Sequence, residues 1–157
     1  MQSGMVGGAS SSGRRYNRGG LGRHIIAELY GCKSEVLGDA GIILQLLTDA
    51  AVQCGAKVVG RYVEKFEEGG GVSAIVVIKE SHISIHTWPE AGYAALDIFT
   101  CGEGTDPWKA YDLIIEKIAP ENVSSIEIHR GLNVLGNITV KAEARASWGV
   151  HDGRLVY

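Results

Sequence analysis

The sequence predicts an α+β two-layer sandwich, a mainly antiparallel sheet with two helices on one face. Three observations predict it. The 157 residues suit one domain, long enough to bury roughly 68–70% of its unfolded surface without staples. Apolar residues switch between alternating and helical spacing in the order β-α-β-β-β-β-α-β. The middle connections are of hairpin length, which joins antiparallel neighbours and leaves no room for crossover helices.

His24 to Tyr30 is a mostly apolar run bounded by glycines and predicts a strand. Asp39 can cap a helix that places Ile43, Leu46, Leu47 and Ala50 at i, i+3, i+4 and i+7, with Gly55 ending it. Lys57 to Phe66 predicts a second strand, followed by a turn at Glu67-Glu-Gly-Gly-Gly71. Val72 to Lys79 and Ser81 to Trp88 are two further strands, and the segments 72–79 and 83–87 are expected to be buried on both faces. Pro89 to Gly92 forms a hairpin loop, and the chain returns through Tyr93 to Phe99. Asp106-Pro107 starts a helix with Trp108, Tyr111, Ile114, Ile115 and Ile118 along one stripe, stopped by Pro120. Val123 to Arg130 alternates as a strand, and Ile138, Val140, Ala142, Ala144 and Ala146 suggest a weaker last one.

The domain proper therefore spans 22–132. Residues 1–21 read as a flexible arm: seven glycines fall in the first 22 positions, beside Ser10, Ser11, Ser12, Arg14, Arg15 and Arg18, and no acidic residue precedes Glu28. Such a segment buries too little apolar surface to offset its ordering entropy. Residues 133–157 form a C-terminal extension with no assigned role. Fifteen Lys+Arg against eighteen Asp+Glu give a net charge of −3, which argues against a phosphate-backbone binder, so no nucleic-acid partner is expected. No apolar run approaches the ~20 residues of a membrane span, and no signal-type stretch opens the chain. Cys32, Cys54 and Cys101 are an odd set with no C-x-x-C pair, which predicts reduced thiols and a cytoplasmic protein.

Reactive side chains concentrate in Glu80-Ser-His-Ile-Ser-Ile-His86-Thr-Trp-Pro-Glu90 and in Asp97-Ile-Phe-Thr-Cys-Gly102. A buried strand has no packing reason to carry two histidines, two serines and a carboxylate, because each buried polar group needs a partner. His82, Ser84, His86 and Trp88 share one face of a strand, with Ile83 and Ile85 on the other. Two histidines at i, i+4 suit a metal on a helix, but on a strand they lie about 13 Å apart. No metal is therefore expected. Ser81 lacks the G-x-S-x-G elbow of a serine hydrolase. The plainer reading makes Ser81 a strand cap, Ser73 a strand serine, His86 a satisfied half-buried histidine and all three cysteines small core residues.

The local sequence favours chemistry over that plainer reading. The Glu80–Glu90 run, Gly92-Tyr-Ala-Ala95, Asp97–Gly102 and Asp106-Pro-Trp-Lys-Ala110, together with Gly22-Arg-His-Ile-Ile-Ala-Glu-Leu-Tyr-Gly31 and Gly71-Val-Ser73, closely resemble the prokaryotic S-adenosylmethionine decarboxylases over roughly residues 21–131. The resemblance implies an α+β sandwich and an enzyme that makes its own pyruvoyl cofactor. Ser81 would attack the carbonyl of Glu80, and the resulting ester would break down to chains 1–80 and 81–157, with a pyruvoyl group at residue 81. By the same resemblance Ser73 polarises the carbonyl, His86 is the base, and Glu90 holds the ribose hydroxyls, while Phe66 and Trp88 stack on adenine or face the sulfonium. In turnover, by the same resemblance, the ketone would condense with the substrate α-amine, the conjugated amide carbonyl would take up the electrons left by CO₂, and Cys101 would return a proton to the α-carbon. A thiol with an ordinary pKa near ~8.5 is a competent acid at neutral pH. The product would serve as aminopropyl donor in polyamine synthesis. Relatives acting on arginine or ornithine share the serine, histidine and cysteine, so those residues leave a pyruvoyl-dependent amino-acid decarboxylase open. An uncleaved nucleotide- or metal-binding module is the alternative of a different class.

Geometry adds one expectation. Ser81 and His86 lie five residues apart on one extended strand, about 16 Å, whereas general-base catalysis needs about 2.6–3.2 Å. A two-fold dimer resolves the conflict and covers the uncovered sheet face. Each site is then expected to take Ser81 and Cys101 from one chain and Ser73, His86 and Glu90 from its partner.

Overall fold

Alternation along the chain builds one seven-stranded sheet. The computed structural model describes residues 20–131 and the backbone of Ala142–Ser147. The strands are β1 (Gly22–Tyr30), β2 (Val58–Lys65), β3 (Val72–Ile78), β4 (Ser81–Trp88), β5 (Tyr93–Cys101), β6 (Asn122–Arg130) and β7 (Ala142–Ser147). Their spatial order is β2-β3-β4-β5-β1-β6-β7, and every neighbouring pair is antiparallel. Short turns join β2, β3, β4 and β5 in sequence order, as the hairpin spacing predicts, and β1 inserts between β5 and β6.

The helices are α1 (Ser34–Leu37), α2 (Ala40–Gln53) and α3 (Pro107–Ile118). The Asp39 carboxylate caps α2 by accepting from the Ile42 N–H at 2.9 Å, and Asp106 caps α3 through the Trp108 N–H at 3.2 Å. The predicted stripe of α2 is the buried one, Ile43, Leu46, Leu47 and Ala50. In α3 the buried residues are Pro107, Ala110, Ile114 and Ile118, with Trp108, Tyr111 and Ile115 at the margin. Both helices close over Ile25, Ala27, Leu29, Ala74, Val76, Ile83, Ile85, Leu96 and Ile98, all buried. Each of the buried Ile, Leu and Val side chains among them stabilises the fold by about 1.5–3 kcal/mol.

The structure differs from the sequence reading in several places. The strands at 72–79 and 83–87 are buried on one face only: Val72, Ala74, Val76, Ile78, Ile83, Ile85 and Thr87 point under the helices, whereas Ser73, Ile75, Val77, Ser84, His86 and Trp88 stay half-buried or exposed. An apolar run reports strand propensity on both faces, but the two long helices cover only one. The single turn α1 escapes the periodicity, because four residues make barely one turn. Strands β1 and β5 run two residues beyond the predicted edges, as Gly22 and Cys101 pair in register. The expected arm 1–21 lies outside the described residues except for Gly20 and Leu21, and the Leu21 N–H donates to the Arg130 carbonyl at 2.8 Å. Of the extension 133–157 only Ala142–Ser147 is described, as β7 against β6; Ile138 and Val140 lie outside the described residues. No helix among the described residues is long and apolar enough to cross a membrane.

Candidate active site

Two separate clusters arise on β4, one at each end. At its start a tight turn at Lys79 and Glu80 joins β3 to β4, with Ile78 paired to Ser81. The Glu80 carboxylate accepts from the Lys57 N–H at 3.0 Å, and the Glu80 carbonyl accepts from the Cys101 N–H at 3.0 Å. Ser81 has φ +153°, a region that is costly for any residue but glycine, by about 1–3 kcal/mol. Its Oγ lies 3.2 Å from Nδ1 of His82. The His82 ring stands edge-on to Phe99, centroids 6.0 Å apart, and Arg130 lies over that same Phe99 ring, 4.4 Å from its centroid. Burial, then the neighbouring His24, pull the His82 pKa down, and Arg130 adds to them against the opposing pull of Asp97. Asp97 itself is held below the ordinary carboxylate range, chiefly by the hydrogen bond from His24 Nε2 at 2.9 Å, with burial opposing.

At the far end of β4, Ser73 and His86 face each other across the β3–β4 ladder, with Ser73 Oγ 2.7 Å from His86 Nδ1. They open into a cleft of about 480 Å³ lined by Phe66, Glu68, Ser73, His86, Trp88 and Glu90, a volume in the range of small-molecule sites. The floor is pinned by Thr87, whose hydroxyl accepts from the Val72 N–H at 2.8 Å and donates to the Leu37 carbonyl at 2.9 Å. Gly71 is required there, since a Cβ would stand 2.6 Å from the Thr87 carbonyl oxygen. Trp88 is backed by Tyr93, centroids 5.1 Å apart, and Tyr93 by Tyr30 at 5.4 Å. The Tyr93 hydroxyl donates to Glu28; burial and that hydrogen bond raise its pKa to about 12.

Within one chain the structure therefore gathers Ser73, His86, Glu90, Trp88 and Phe66 in one place, and Glu80, Ser81 and Cys101 in another. It does not bring the two sets together, for β4 runs unbroken between them. His82 and His86 sit on that same strand four residues apart. Cys32, Cys54 and Cys101 are free thiols. Burial pushes Cys32 up to about 11, as suits an inert core thiol, whereas Cys101 is only partly buried. Sequence reasoning missed Glu68 in the cleft wall, the Cys101 N–H at the Glu80 carbonyl and the contact of His82 with Ser81. The last was legible from adjacency alone, but strand alternation argues against it, and only the unusual φ of Ser81 brings the two side chains together.

The fold and the comparisons agree. The family model described as "S-adenosylmethionine decarboxylase" matches residues 23–131. An S-adenosylmethionine decarboxylase proenzyme of Caldicellulosiruptor saccharolyticus is 51% identical over 112 residues, 71% of this chain and 90% of that protein. A proenzyme of the same name from Clostridium kluyveri is 46% identical over 112 residues, 71% of this chain and 88% of its own. The crystal structure of the adenosylmethionine decarboxylase from Aquifex aeolicus VF5 superposes with a TM-score of 0.69 at 32% identity, covering 76% of this chain and 98% of that one. With a match that runs from the second residue of β1 to the end of β6 and includes all three helices, the chain belongs to the S-adenosylmethionine decarboxylase family.

Proposed function

We propose that this protein is a self-processing S-adenosylmethionine decarboxylase that builds a pyruvoyl group from Ser81 and completes each active site across a two-fold dimer. One observation carries the dimer: β4 is continuous from Ser81 to Trp88, so the nucleophile end and the His86 end of a single chain stay about 16 Å apart. A partner lying antiparallel across the open sheet face sets its Ser73, His86 and Glu90 against Ser81 and Cys101, twice per dimer. Self-association also covers the half-exposed Tyr30, Tyr62, Val77 and Trp88.

The residues present fit a pyruvoyl group at position 81, because a serine hydroxyl follows directly in the chain on a Glu80 carbonyl that is hydrogen-bonded by the Cys101 main-chain N–H. When formed, the group supplies a ketone and a conjugated amide carbonyl that accept the electron pair released with CO₂. The protein does the rest. Glu90 accepts from the ribose hydroxyls at the cleft mouth. Trp88 and Phe66 offer ring faces to the adenine and to the sulfonium, the latter contact contributing about 0.5–2 kcal/mol. The Cys101 thiol protonates the α-carbon. Ser73 and His86 serve processing at the ester stage, as carbonyl donor and base, and the decarboxylated product is an aminopropyl donor for polyamine synthesis.

Two measurements on the purified protein test this together. Intact mass is expected to show two chains, ending at 80 and beginning at 81. CO₂ release assayed in parallel on S-adenosylmethionine, arginine and ornithine is expected only from the first. A single uncut chain, or turnover of the amino acids alone, overturns the reading.

A further inference from the structure

We infer that His82, not His86, is the catalytic base of the first step of self-cleavage, and that this step runs inside a single chain. The inference rests on the self-processing proposed above and assigns its opening proton transfer. In that step the Ser81 hydroxyl adds to the Glu80 carbonyl carbon. The Oγ–C bond forms, the C–N bond of the Glu80–Ser81 peptide breaks, and an ester and a free amine replace the amide. The hydroxyl proton has to leave Oγ and finally reside on the Ser81 nitrogen, so one group that accepts and returns a proton suffices and no co-reactant enters.

Three features of the turn supply what the step needs. His82 Nδ1 lies 3.2 Å from Ser81 Oγ, at the edge of the range for direct general-base transfer, whereas His86 of the same chain is engaged with Ser73 at the other end of β4. The developing negative charge falls on the Glu80 carbonyl oxygen, which already accepts the Cys101 N–H at 3.0 Å, the geometry of an oxyanion donor. The strained φ of +153° at Ser81 is relieved when the peptide bond on its nitrogen opens. The ring also stays ready to accept. Burial and the adjacent His24 hold it below the usual imidazole range, Arg130 helps, and Asp97 opposes, so it is neutral at neutral pH. Phe99 fixes its plane from the side. His86 of the partner is then left for the later removal of the Ser81 α-proton, when the ester oxygen departs as the Glu80 carboxylate.

The test follows processing of newly synthesised full-length chain by intact mass, with and without hydroxylamine, which cuts an ester at 80/81 and spares the amide. The parent is expected to cut to 1–80 and 81–157. His82→Gln, which keeps a polar side chain but cannot carry the proton, is expected to cut about 100-fold more slowly and to yield no hydroxylamine-sensitive ester. His82→Ala is expected to regain cutting when imidazole is added. Cutting of either variant at the parent rate overturns the inference. So does slow cutting with a build-up of hydroxylamine-sensitive ester, which shows the first step intact. Slow cutting that imidazole leaves unchanged also overturns it, because a missing proton carrier can be replaced and a disrupted turn cannot. A parent that never cuts removes the self-processing reading itself, whatever the His82 variants do.

Discussion

Cys101 presents two different groups to the start of β4. Its main-chain N–H holds the Glu80 carbonyl at 3.0 Å, and its thiol, partly exposed at the end of β5, is the acid proposed for turnover. The two roles separate by mutation. Cys101→Ser keeps the N–H and nearly the shape, so chains 1–80 and 81–157 are still expected by intact mass. An alcohol is a far weaker acid than a thiol, so CO₂ release from S-adenosylmethionine is expected to fall at least about 100-fold. Decarboxylation at the parent rate removes Cys101 as proton donor. At this scale the sequence was informative about identity and about which residues stand far apart on one strand, but not about which pairs bond. Ser73 and His86 sit thirteen positions apart in sequence, and only the β3–β4 register shows them paired. The division of the site residues between two ends of β4 was legible from strand length, since Ser81 and His86 stand five residues apart on one strand.

Elements here are tied down by one buried carboxylate. Glu127 on β6 is 3% exposed; it accepts from Arg23 of β1 and from Trp108 Nε1 of α3 at 2.8 Å, with His129 Nε2 3.7 Å away. Burial pushes its pKa up, but Arg23 and Trp108 outweigh it and hold the group below its ordinary value. The network thus joins the first turn of α3 to the two strands beneath it, and Arg23 also reaches Asp106, the cap of that helix, at 3.5 Å. Arg23→Met keeps most of the stem but strands the charge with fewer donors. The expected loss is about 1.5–3 kcal/mol, read as a lower urea midpoint with unchanged slope. A midpoint equal to the parent's shows the network to be incidental. The long elements were legible because caps and stripes act locally: Asp39, Asp106 and the apolar spacing of α2 and α3 suffice. The charged network was not, since Arg23 and Glu127 lie 104 residues apart and meet only because β1 inserts between β5 and β6.

The molecule as a whole has one finished face and one unfinished. Helices α2 and α3 bury one side of the sheet, while the other presents Tyr30, Tyr62, Val77 and Trp88 at 40–60% exposure beside the polar His24–Asp97 pair. Sequence arithmetic anticipated that a two-layer chain leaves a face uncovered, yet it also took the central strands as buried on both sides. The first follows from the two-layer architecture and holds for this chain, whereas the second was read from the apolar run alone and fails, because Ser73, Ile75, Val77, Ser84, His86 and Trp88 stay half-buried or exposed. The dimer proposed above, whose partners would exchange catalytic residues, accounts for the split site and the open face together. The most direct test co-expresses differently tagged Ser81→Ala and His86→Ala chains, each expected to stay uncut alone. In a mixed dimer one site regains an intact Ser81 facing an intact His86. Intact mass of the doubly tagged dimer is then expected to show cleavage in the His86→Ala chain only, with up to one active site per dimer. A doubly tagged dimer in which that chain stays whole, or in which the Ser81→Ala chain is cut, contradicts the shared site.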